Sequence, residues 1–131
     1  MTPTEIDYPE VLSEMREAFA RYETALTTND VTTLDELFHK HPGTIRYGAT
    51  ENLYGYTAIA SFRAGRSSAN LMRDLAQTVI TSYGRDVAVA STLFTRSSAP
   101  GKIGRQMQTW VRFAEGWRIV AAHVSVIDAP A

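Results

Sequence analysis

The sequence predicts an α+β domain in which three early helices pack on a strongly curved antiparallel sheet. Three observations carry that reading. Apolar residues recur at three- and four-residue spacing in the first half of the chain. The period changes to alternation from Leu71 onward, and the later segments are joined by short, glycine-bearing connections that suit antiparallel hairpins.

Pro9 suits the first turn of a helix, and Val11, Leu12, Met15, Ala18, Phe19, Tyr22 and Leu26 then line one stripe of it. Glu14, Arg16, Glu17 and Arg21 face away, and "TTND" ends the run. Asp30 caps a second helix, "VTTLDELFHK", which Pro42-Gly43 stops. Thr44-Ile45-Arg46-Tyr47 reads as a short strand, because Thr, Ile and Tyr favour the pleated state. After turns at Gly48 and Gly55, "YTAIASFRAGR" reads as a third helix over 57–66. Four longer strands follow: "LMRDLAQTVITSYG", "DVAVASTLFTRSS", "GRQMQTWVRF" and "GWRIVAAHVSVIDA". Turns at Gly84-Arg85, Ala99-Pro100-Gly101 and Ala114-Glu115-Gly116 part them. Their length exceeds the usual ~5–6 residues, which implies a sheet curling around the helices.

With 131 residues, 44% hydrophobic and 21% charged, the chain is read as one domain over 1–131. A net charge of −1 supplies no field for nucleic acid or an acidic membrane. No cysteine is present, so thiolate and disulfide chemistry are excluded. "MTPTEIDYPE" lacks the basic leader and apolar core of a secretion signal, and no run approaches the ~20 apolar residues of a membrane span. A cytoplasmic domain without a membrane partner is the expectation.

Chemistry is expected where polar residues alternate onto inward faces. Tyr22 shares the buried stripe of the first helix, where a phenol needs a hydrogen-bond partner and backbone is the plain structural choice. Gln106, Gln108 and Trp110 share one face of their strand. In the last strand, alternation groups Trp117, Ile119, Ala121, His123 and Ser125 on one face and Val120, Ala122, Val124 and Val126 on the other. Such a second apolar face needs a cover, and another copy of the chain is the simplest one, so a homodimer or larger assembly through the outer sheet face is expected.

Arg46 interrupts its strand with a charge that cannot be shed. Glu51, across Gly48, is the nearest acid and a candidate partner; if no protein anion satisfies Arg46, a ligand must. Arg63 and Arg66 on the third helix either rim a pocket or are solvated; Arg66 is read as solvated and Arg63 is left open. His39 and His41 lack a third ligand, so no metal and no cofactor is expected.

Five blocks in order, "IRYGATENLYG", "AIASFRAGR", "VITSYGRDVA", "GRQMQTWVRF" and "GWRIVAAHVS", resemble the AtzH/HpxZ-type family of the SnoaL-like, NTF2-like superfamily. Met107 departs from the small polar residue expected there, and alternates away from Gln106 and Gln108. The resemblance implies an NTF2-like cone, with the sheet closing around the first helix and a pocket at its open end. It implies an enzyme that converts 1,3-dicarboxyurea to allophanate by removing one N-carboxy group, in cyanuric acid and urea-derivative catabolism alongside an amidase. In that reading Tyr22 and Arg46 are catalytic, while Gln108, His123, Arg63, Trp110 and Ser125 bind a small anionic substrate. The rival readings are a non-catalytic partner that holds such an anion for an amidase, and an isomerase or cyclase, which would want an inward acid in an apolar cavity.

Overall fold

A computed structural model describes residues 1–130. After a 3-10 turn over Pro3–Glu5, helix α1 spans Pro9–Thr27, with Pro9 at its start as its fixed φ favours. Its buried stripe is Val11, Met15, Phe19, Tyr22, Ala25 and Leu26, the spacing of a helix with one face against a sheet. Asp30 then caps α2 (Val31–Leu37) by accepting from the Thr33 amide. Helix α2 ends earlier than "VTTLDELFHK" suggests. Phe38 leaves it in extended conformation, bridges to Ile119 and is buried, so sheet pairing takes the backbone that the helix would have used.

Strands β1 (Ile45–Tyr47) and β2 (Asn52–Tyr54) form a small hairpin before α3 (Tyr56–Ala64). The long strands are β3 (Asp74–Tyr83), β4 (Val87–Thr95), β5 (Lys102–Phe113) and β6 (Gly116–Asp128). They join one six-stranded sheet in the order β2-β1-β6-β5-β4-β3. All pairings are antiparallel except β1 with β6, which run parallel. The fold is thus α+β, three helices on a curved sheet, as the change of period implied.

Two irregularities bend this sheet. One lies in β3 between Ala76 and Val79, where Gln77 takes a φ of 49°. The other pairs Trp110 with Ile119 but Thr109 with Ala121, leaving Val120 as an extra residue in β6. A bulge sharpens the local twist and reverses the facing of everything beyond it. Before Val120, Trp117 and Ile119 point inward; after it, Ala122, Val124 and Val126 do, and Ala121, His123 and Ser125 point out.

The core gathers α1 against β4, β5 and β6, with Met15, Ala88, Ala90, Trp110 and Ile119 fully buried. Gly104 in β5 lies opposite Phe94 in β4, and a Cβ there would sit 2.0 Å from the Phe94 ring. Glycine therefore lets the ring lie flat on the neighbouring strand. The Gly104→Ala variant should lose about 1–3 kcal/mol of stability by overpacking, read as a lower urea midpoint with an unchanged slope.

Candidate active site

A cleft of about 260 Å³ opens between the C-terminal part of α1, β1, the end of α3 and the inner face of β5 and β6. Tyr22 stands in its wall, carried there by the buried stripe of α1. Its ring meets the edge of Trp110 at 6.3 Å and 89°, and the Trp110 indole donates to Gln108 Oε1 at 3.0 Å. That stack holds the phenol in place from behind. The Tyr56 hydroxyl donates to the Asp35 carbonyl, and the Tyr47 and Tyr54 hydroxyls bond each other. The Tyr22 hydroxyl takes no such partner among the described residues and faces the cleft instead.

Charge dominates the remaining wall. Arg46 Nη1 donates to Glu51 Oε1 at 2.8 Å, and Glu51 Oε2 accepts from the Thr50 amide and hydroxyl at 3.2 and 2.7 Å. Gly48 makes room for this pair, because a Cβ at that position would fall 1.7 Å from Glu51 Oε1. Arg73 grips Glu23 with two bonds, Nε to Oε2 at 2.9 Å and Nη2 to Oε1 at 2.6 Å. Its Nη2 also reaches Gln106 Oε1 at 3.1 Å. Both Arg73 and Arg96 lie against the Phe94 ring, with their guanidinium carbons 4.6 and 4.8 Å from its centroid.

Arg66 and Arg96 differ from these. Among the described residues neither has a carboxylate within ion-pair distance, and Nε and Nη2 of Arg66 and Nε of Arg96 are buried without a hydrogen-bond partner. Burial holds both guanidinium groups below the ordinary arginine pKa, and Tyr22 is close enough to each to act electrostatically in the opposite direction.

Several sequence-based assignments need correction. Arg46 lines the cleft, but it is not left for a ligand to neutralise, since Glu51 already holds it. Arg66, read as solvated, is half-buried in the cleft, whereas Arg63 points the other way, onto Asp35 and the Phe38 ring. Gln108 and Trp110 are buried behind Tyr22 rather than in contact with the opening. His123 and Ser125 lie on the outer sheet face, His123 beside Tyr47 and Ser125 bonded to Arg105, because the bulge at Val120 reverses their parity. Arg73 and Arg96, with the Glu23 that binds Arg73, are the charges at the cleft that the sequence reading did not assign, whereas Glu51 takes the place beside Arg46 that its position in the sequence offered. A larger groove of about 680 Å³ runs past Asp35, His39, Tyr56 and Arg118. The buried cation beside it, Arg63, is met by Asp35, so it has no uncompensated buried charge to offer a ligand.

A sequence model described as AtzH-like matches residues 4–130. The chain belongs to the AtzH-like family. A Pectobacterium atrosepticum protein of the DUF3225 family, itself of unknown function, is 58% identical, with 98% of this chain and 99% of that one covered and a TM-score of 0.95. A cystatin-like fold protein of Burkholderia xenovorans is 43% identical over 96% of this chain and 98% of its own, at a TM-score of 0.92. An NTF2-like protein of Pseudomonas putida shares the fold, with a TM-score of 0.74 and 18% identity over 88% of this chain and 86% of its own. No protein of curated function matches. The AtzH-like chain thus has the NTF2-like fold, and among the described residues no helix is long and apolar enough to cross a membrane.

The Arg46–Glu51 pair makes a prediction about acid. Burial raises the Glu51 carboxyl, but hydrogen bonds from Thr50 and Arg46 and the Arg46 charge outweigh it, so its pKa lies below the usual value. A depressed folded pKa contributes stability above the unfolded value of about 4.3, and loses it as pH falls through the folded value. The Glu51→Gln variant should be about 1–3 kcal/mol less stable than the parent at pH 7. In thermal melts run from pH 7 downward, that gap should close below roughly pH 4.

Proposed function

We propose that this AtzH-like protein is a small enzyme that removes an N-carboxy group from a carboxylated urea, turning 1,3-dicarboxyurea into allophanate in cyanuric acid and related catabolism. The observation that carries the reading is the Tyr22 side chain, whose hydroxyl has no hydrogen-bond partner among the described residues, in the wall of a small cleft lined by four arginines. In this reaction the C–N bond to one carboxyl group breaks and its electron pair stays on nitrogen. A proton must then reach that nitrogen. Tyr22 is the donor in this scheme and regains its proton from solvent, a role typically worth ~10²–10⁴ in rate. Arg46 keeps most of its five N–H groups after bonding Glu51, so it can orient a carboxylate as a fixed donor rather than as a free charge. If water adds first, bicarbonate leaves in place of carbon dioxide, and the same residues serve.

The isomerase reading asks for a free acid as base, and both cleft carboxylates, Glu23 and Glu51, are engaged by arginines. A non-catalytic anion holder for an amidase is distinguished by stoichiometry. With freshly generated 1,3-dicarboxyurea in large excess, the enzyme should release many equivalents of allophanate per chain, and Tyr22→Phe should lower kcat about 10²–10⁴-fold while keeping its melting profile. Binding that saturates at one equivalent with no allophanate released would leave only the anion holder.

The same proposal places the protein in the cytoplasm and covers its outer sheet face with a second copy. Val79 and Met107 are 59% and 56% exposed there, and a shallow depression beside Met107 includes Ile45, Val89 and Ala121. Sedimentation velocity should show a dimer or larger species that Met107→Glu dissociates; an unassociated parent at tens of micromolar would remove the assembly.

A further inference from the structure

The cleft's charges do not balance. Four arginines, Arg46, Arg66, Arg73 and Arg96, line it, and two carboxylates, Glu51 and Glu23, are bound to the first and third of them. An excess of two positive charges remains, on Arg66 and Arg96. They come from separate elements, Arg66 from the turn after α3 and Arg96 from the end of β4. Burying a guanidinium without a counter-charge costs stability; the Phe94 ring beside Arg96 returns a part of that cost, and no carboxylate among the described residues pairs with either arginine.

We infer that Arg66 and Arg96 are the anion receptors of this cleft, and that together they make it selective for a dianion over a monoanion. Glu51 and Glu23 neutralise the other two arginines and keep them as structural walls and neutral-pair donors. A small molecule with two carboxylates matches the remaining charge, whereas a single carboxylate leaves one guanidinium unpaired. This inference rests on the reading of the site as one for N-carboxylated ureas and deepens it. The substrate carries two carboxylates and the organic product one, so loss of the N-carboxy group weakens the product's hold and favours its release. The excess charge also pulls dianions towards the opening, an effect that salt screens.

Binding to malonate, which is not turned over, tests this apart from catalysis. Calorimetric titration at low ionic strength should show malonate binding at least about tenfold more tightly than acetate, and added salt should narrow the difference. Arg66→Met and Arg96→Met should each weaken malonate at least about tenfold and leave acetate less affected. Both variants should melt at or above the parent temperature, because each removes a half-buried charge that has no carboxylate partner among the described residues. A purely structural arginine would lower it. Malonate no tighter than acetate, or malonate binding indifferent to both substitutions, would overturn the inference even if dicarboxyurea is turned over. Arginine-dependent malonate binding in a protein that never turns over dicarboxyurea would uphold the inference and sink only the enzymatic reading.

Discussion

A guanidinium cannot escape burial by giving up its proton, and this AtzH-like protein brings four of them to one small cleft. Everything distinctive about the site follows from how that charge is met. Arg73 is answered in full by Glu23 in bidentate geometry, with Gln106 taking a further bond. Arg46 is answered by Glu51, which is itself held by Thr50. Arg66 and Arg96 have no carboxylate of the chain to answer them among the described residues. In a typical core such an imbalance would be a defect; in a solvent-connected cleft it is what the proposed anion would offset.

The frame explains why these groups stay where they are. Trp110, wedged in the core and bonded to Gln108, presents its ring to Tyr22 and leaves that phenol little freedom. Phe94 lies over Gly104, and the guanidinium groups of both Arg73 and Arg96 lie against its ring. Gly48 leaves the hollow into which Glu51 folds back on Arg46. Small residues thus matter here for the volume they leave to charged neighbours. The polar site and the apolar core are one packing problem, joined at Tyr22, which belongs to both.

The larger features were readable from the amino acids. The helical stripe of α1 ran through Tyr22, Pro9 and Asp30 marked helix starts, and the alternation of Gln106, Gln108 and Trp110 placed them on one inward face of β5. These are local periodicities, and tertiary packing reinforced them. The errors have one kind of cause. His123 and Ser125 were assigned by counting from Trp117, and one extra residue at Val120 turned both to the outside. Arg63 and Arg66 are near neighbours in the sequence, yet the chain turns at Gly65 between them and sends one to Asp35 and the other to the cleft.

What the sequence determined by itself was the α+β class, the inward position of Tyr22 and the inward face of Gln106, Gln108 and Trp110. Only the tertiary structure decided which arginines are already paired. That decision depends on contacts between residues far apart in the chain: Glu23 with Arg73, and Arg96 with Phe94 beside the inner face of β5 and β6. Even for the near neighbours Arg46 and Glu51, it depends on a hollow at Gly48 that the folded turn creates. Periodicity reports which face a residue takes, but charge compensation is set by distance in three dimensions, and no local pattern encodes that distance.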